Sequence, residues 1–249
     1  MASPLRIYHT SDLHDRRGFV ERLRALRAAE PGLLFDCGDS LRGSQTVYRS
    51  REPIVAEIDA AGYDAQGMGN REFHYIFGAV AARARTMAHP LVCSNLVDTK
   101  GRALPFAREL AFERDGWKLR VFSLLVVQYP DGSPWERVLG WRFRDPSVVA
   151  REFAASTPDD TTLVVLSHLG LRADRLLAAA VPRLDLVLGG HSHDTLQAPE
   201  VVAGVPIVHA GPYGEFVSRT ELAPVAQAPG RVRVARFDLV PLLPSRQPA

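Results

Sequence analysis

Histidine, aspartate and asparagine recur in this chain at the carboxyl ends of apolar runs, where together they could hold metal ions. The densest instance is Gly189-Gly190-His191-Ser192-His193. It follows Leu184-Asp185-Leu186-Val187-Leu188, mostly branched aliphatics with the length and composition of a buried strand. In an extended segment residues i and i+2 point the same way, so both imidazoles can reach one spot. Asp12 and His14 repeat that spacing after Leu5–His9. Asp39 follows Leu33–Cys37, Asn70 follows Tyr63–Gly67, and His168 follows Thr161–Leu166. Oxygen and imidazole donors without a thiolate suit manganese first, and iron, zinc, nickel or cobalt. They argue against a cysteine-rich structural zinc site. Seven ligands are too many for one catalytic ion that keeps an open position. They suit two divalent ions about 3.5–4 Å apart that share a carboxylate.

The elements that must position these residues alternate. Strands are expected at the runs just named and at Leu91–Ser94. Helices are expected over Phe19–Ala29, Glu52–Ala61 (closed by Gly62), from about Gly69 through Met87, Pro146–Ala155 and Ala173–Ala180. Phe106–Glu113 and Trp117–Val127, separated by Asp115-Gly116, read as an antiparallel hairpin. Pro206–His209, Glu215–Ala223 and Arg231–Val240 read as further strands. The expectation is one α/β domain over residues 5–240, with residues 241–249 a disordered tail.

Composition sets bounds. At 249 residues the chain can bury a large core without staples. A net charge of +2 gives no overall pull toward nucleic acid or membrane. No apolar run approaches the roughly 20 residues of a membrane span, and no charged-then-apolar leader precedes the first motif. The two cysteines, Cys37 and Cys93, sit in apolar runs and read as buried free thiols. A cytoplasmic protein is expected.

Asp-x-His, Gly-Asp, Gly-Asn, a lone His and Gly-His-x-His, in this order, resemble the calcineurin-like metallophosphoesterases. Asp36-Cys37-Gly38-Asp39-Ser40-Leu41-Arg42-Gly43-Ser44, Gly62-Tyr63-Asp64-Ala65, Ser94-Asn95-Leu96 and Ser167-His168-Leu169-Gly170 are similar to one branch, the 5′-nucleotidases and cyclic phosphodiesterases. The resemblance spans roughly Leu5 to Leu222. It implies a four-layer αββα sandwich, mixed sheets flanked by helices, with the metals at one end. It also implies that Asp12, His14 and His193 hold one ion, that Asn70, His168 and His191 hold the second, and that Asp39 bridges them. The implied reaction is hydrolysis of a small phosphomonoester or phosphodiester, such as a nucleotide, by a water activated between the ions. No polymeric nucleic acid is required.

Two features depart from the branch. Where it reads Gly-Asn-His-Glu-Phe-Asp, this chain has Gly69-Asn70-Arg71-Glu72-Phe73-His74. Arg71 cannot release a proton at neutral pH but can bind phosphate oxygens, so Asn70 and Arg71 are read as substrate-binding and Arg71 as stabilising charge. If that stretch is helical, His74 lies one turn on from Arg71 and could serve as a relocated acid. The branch also carries a C-terminal domain that clamps the nucleoside, and no such domain is expected here. Base contacts would then fall to Tyr48, Tyr129, Trp135 or Tyr213. A nuclease of the same superfamily is a second reading, and a metal-binding sensor without activity a third.

Overall fold

The computed structural model describes residues 4–226 and 228–245. In chain order the elements are β1 (Leu5–Thr10), α1 (Val20–Ala29), β2 (Leu33–Asp36), α2 (Ile54–Ala61), β3 (Ala65–Gly67), α3 (Phe77–Thr86), β4 (Leu91–Val92) and β5 (Leu96–Asp98). They continue with β6 (Glu109–Arg114), β7 (Trp117–Leu125), α4 (Pro134–Leu139), β8 (Trp141–Phe143), α5 (Pro146–Ser156), β9 (Thr162–His168) and α6 (Leu171–Ala180). The last are β10 (Leu186–Gly189), β11 (Glu200–Val202), β12 (Val205–His209), β13 (Phe216–Val225) and β14 (Ala228–Pro241).

Two six-stranded sheets carry the fold, in the orders β14-β13-β1-β2-β3-β4 and β11-β12-β10-β9-β7-β6. Strands β1, β2 and β3 run parallel, as do β9 and β10. Their sequences are apolar on both faces because both faces are covered. Ile7, Val164 and Leu166 point between the sheets, beside Phe35, Val121 and Leu188. The alternate residues point outward. Tyr8 and Leu34 meet Leu23, Ile54 and Val80 from α1, α2 and α3, whereas Leu163 and Val165 meet Val149, Phe153 and Leu177 from α5 and α6. Helix, sheet, sheet and helix therefore make four layers. Each fully buried Leu, Ile, Val or Phe contributes about 1.5–3 kcal/mol.

Asp115 and Gly116 both take positive φ, 51° and 83°, and close the β6–β7 hairpin in the twist its strands need. Cys37 and Cys93 are free and buried, and burial pushes Cys93 up to about 12 and Cys37 well above its ordinary value. No helix among the described residues is long and apolar enough to cross a membrane.

Two expectations are corrected. The stretch from Gly69 does not open a helix. Residues 70–72 form a single turn, with Phe73 N–H donating to Gly69 O at 3.0 Å, and α3 begins only at Phe77. The N–H groups that would start a helix are taken by side chains: Gly69 by Glu72, Arg71 by Asp39, Ile76 by His74 Nδ1. Nor is the chain from residue 241 a loose tail. Leu242 is 1% exposed, Leu243 packs on the same core, and Leu242 N–H bonds Glu215 O at 2.8 Å. Residues 246–249 lie outside the described residues.

Candidate metal centre

All seven sequence-predicted ligands lie at the carboxyl ends of five parallel strands, three in one sheet and two in the other. Past β1 and β2 the chain runs on as a paired ladder: Cys37 N–H bonds Thr10 O, Asp12 N–H bonds Gly38 O, and His14 N–H bonds Asp39 O, at 2.8–3.0 Å. Leu13 plugs into the core between Asp12 and His14 and fixes the turn. Five of the seven, Asp12, His14, Asp39, His191 and His193, hold left-handed backbone with φ between 49° and 75°. For residues with a Cβ this is strained, by roughly 1–3 kcal/mol each, and such strain gathers at functional sites. Gly38 and Gly69 allow the closest approach. A Cβ on Gly38 would stand 2.4 Å from Gly69 N, and one on Gly69 would stand 2.3 Å from Asp39 N.

The side chains converge in two groups, Asp12–His14–His193 and Asp12–Asp39–His168. Asp12 Oδ1 lies 3.8 Å from His14 Nε2 and 3.6 Å from His193 Nε2, and those two nitrogens face each other at 2.9 Å. Asp12 also accepts the N–H of His191, whose ring centroid is 4.9 Å from that of His168. His168 Nδ1 is bonded to Cys37 O at 2.7 Å, which aims Nε2 into the site. That nitrogen is fully buried with no hydrogen-bond partner, 3.3 Å from Asp39 Oδ1. Two imidazoles face to face and one buried, unpartnered imidazole nitrogen beside carboxylates are what divalent ions would satisfy. The residues fit a divalent metal ion, and Asp12 belongs to both groups.

The electrostatics agree. Burial disfavours charge on His168, but the Asp39 carboxylate outweighs it and raises His168 to about 9. Burial would likewise raise Asp39, yet His168 and the Arg71 backbone N–H hold its carboxyl well below the usual carboxylate range. Burial lowers His14 to about 4 and lowers His191, whereas Asp39 pulls both upward. Asp12 and Asp39 both pull His14, His168 and His191 upward.

Asn70 Oδ1 accepts from Gln128 Nε2 at 2.8 Å, a partner that no motif marked. Arg71 is held at both ends. Its backbone N–H bonds Asp39 Oδ1 at 2.8 Å, its Nε stands 4.0 Å from Asp39 Oδ2, and its Nη1 contacts the carbonyls of Leu41, Arg42 and Gly43. His74 is turned away from this group. It is 4% exposed, its Nδ1 accepts the Ile76 N–H, and its ring lies edge-on to Tyr48. Sequence reasoning also passed over Glu72, whose carboxylate accepts backbone N–H groups from Asp39, Ser40, Leu41 and Gly69. Its place next to Asn70 and Arg71 was the available signal. Tyr213 lies 5.4 Å from His14 and 5.5 Å from His193, ring to ring, and its N–H bonds Asp12 O.

No family model matches the chain. A Bacillus subtilis protein named uncharacterized metallophosphoesterase YunD is 29% identical over 239 residues, covering 89% of this chain and 50% of its own length. The fold agrees with that likeness: the solved 5′-nucleotidase precursor of Thermus thermophilus superposes with a TM-score of 0.78 at 22% identity, over 96% of this chain and 55% of that one. The fold is that of the solved 5′-nucleotidase precursor, and the relatives include a protein named a metallophosphoesterase. Among those relatives, the 5′-nucleotidase of Vibrio vulnificus is 26% identical over 96% of this chain and 51% of its own length. The chain spans about half the length of the curated relatives it matches. The strand ends are where this chain concentrates left-handed backbone, buried charge and the His168 Nε2 that lacks a hydrogen-bond partner.

Proposed function

We propose that the chain is a two-metal phosphohydrolase for small phosphomonoesters or phosphodiesters, nucleotide-like in kind. The carrying observation is the convergence of Asp12, His14 and His193, and of Asp12, Asp39 and His168, at four strand ends. Asp12, His14 and His193 would hold one ion. Asn70, His168 and His191 would hold the second, with Asp39 between them. Manganese is the first metal to try. Once bound, such a pair acidifies water and polarises phosphoryl oxygens.

The protein's own groups do the rest. The Cys37 carbonyl accepts a hydrogen bond from His168 Nδ1–H and so aims Nε2 at the site for a ligand bond. Asp12 fixes the His191 backbone, and Gln128 orients the Asn70 amide. Arg71, a third exposed and anchored on three carbonyls, presents a permanent positive charge at the rim. It can pair with phosphate oxygens but cannot protonate a leaving group. The buried thiols accord with a reducing, cytoplasmic setting.

Purified protein reconstituted with manganese is expected to hold two ions per chain and to hydrolyse an aryl phosphoester. Asp39→Asn should lose more than about 100-fold in kcat, since it removes the carboxylate proposed to stand between the ions. At most one bound ion, with Asp39→Asn as active as wild type, would reject the two-metal reading.

A further inference from the structure

We infer that the pocket beside Asn70 is a binding site for a planar aromatic group on the leaving side of the phosphoester, a nucleobase-type heterocycle. The inference rests on the phosphohydrolase reading. The pocket holds about 330 Å³ and is lined by Tyr75, Gln128, Tyr129, Trp135 and Leu139. That volume is at the small end for ligand sites and takes one heterocycle with part of a sugar.

Its walls are rigid. The Tyr129 hydroxyl donates to Trp141 O at 2.7 Å, and its ring stands at 88° on Phe143. Tyr75 is braced edge-on by Phe73 at 5.3 Å. The Tyr75 and Tyr129 rings lie within 23° of parallel, centroids 6.3 Å apart. Trp135 is 57% exposed, because α4 is capped by Ser133 and stopped by Gly140 so as to present that ring at the surface. A large aromatic left in water beside two fixed aromatic walls gains by stacking on a ligand.

Gln128 ties this pocket to the chemistry. Its Nε2 donates both to Asn70 Oδ1 at 2.8 Å and to Val126 O at 3.0 Å. Both amide hydrogens are thereby used, which leaves Oε1 as the acceptor offered to a ring N–H or amino group. A phosphoryl group at the metal centre would then place its leaving group toward Gln128 and the tyrosines.

Adenosine, which carries no phosphate, tests the site apart from turnover. Titrated into wild type and into Asp39→Asn, it should quench tryptophan fluorescence saturably and alike. Trp135→Phe should lose that signal, and Tyr75→Leu should weaken binding by about 10-fold. In steady-state hydrolysis, Trp135→Ala should lower the ratio of kcat/KM for adenosine monophosphate over glycerol phosphate by about 10-fold. Saturable quenching without any hydrolysis would uphold the pocket while removing the phosphohydrolase reading. Hydrolysis with an unchanged ratio, and no saturable quenching at millimolar adenosine, would overturn the pocket and leave that reading intact. A wild-type dimer that dissociates in Trp135→Ala with the ratio unchanged would give this face to a second copy of the chain and also overturn the inference.

Discussion

Oε2 of Glu72 accepts the backbone N–H of Asp39 at 2.8 Å. The same oxygen takes Gly69 N–H at 2.9 Å, and Oε1 takes Ser40 N–H and Leu41 N–H. One buried carboxylate therefore fastens the loop after β2 to the loop after β3 and sets where Asp39 and Asn70 stand. It also explains why the chain turns at residues 70–72 rather than continuing as a helix.

Glu72→Gln keeps the shape but turns a donor toward backbone N–H groups. We expect a loss of about 2–4 kcal/mol in unfolding free energy, since buried donors are left unpaired. Metal affinity should fall roughly 10–100-fold because the ligands lose their support. Urea unfolding and metal titration measure the two effects separately. Unchanged values in both would show that this carboxylate positions nothing.

Arg71 and His74 should separate by substrate. Arg71→Ala removes charge stabilisation from every phosphoester, so kcat should fall by roughly 10²-fold for aryl and alkyl esters alike. Wild type itself should favour aryl over alkyl esters, as Arg71 donates no proton. His74→Ala should lower the melting temperature through its bond to Ile76 N–H while leaving the aryl-to-alkyl ratio where it was. A selective collapse of alkyl-ester turnover in His74→Ala would instead make His74 the acid.

His9 sets a pH limit on stability. It is fully buried on β1, its Nδ1 is 3.2 Å from Ser218 Oγ, and burial, then the nearby His209, lowers it to about 3. An unfolded histidine titrates near 6.5, so the unfolded chain binds the proton first. Stability owed to neutral His9 is complete above about pH 6.5 and is lost as pH falls toward 3, by up to about 1.4 kcal/mol per pH unit. His9→Asn should shallow that decline between pH 7 and pH 5, read by urea unfolding with chelator present. Parallel curves for the two proteins would contradict the assignment.

The candidate ligands could be picked out of the sequence by local rules. A buried strand shows as an aliphatic run and a strand end as Gly followed by a polar residue. The extended i, i+2 reading is corrected: Asp12, His14, His191 and His193 take left-handed backbone, and His193 joins Asp12 and His14 while His191 stands beside His168. The same runs showed strands covered on both faces, whereas the four-layer arrangement was implied by the family resemblance.

What only the tertiary structure decided depends on groups far apart in the chain. Asp12 enters both donor groups because the end of β1 meets the ends of both β9 and β10 across the two sheets, a relation no local pattern encodes. Competition for N–H groups from Asp39 and Glu72 overrode the helical reading of residues 69–76, for a buried carboxylate that gains four donors outweighs a weak helical preference. Leu242 escaped notice because its partners are Arg22 and Glu215, brought near by β13 and β14. The aromatic pocket has no sequence period at all. Tyr75, Tyr129 and Trp135 come from a turn, a loop and a short helix, and they become a site only where packing brings them beside Asn70.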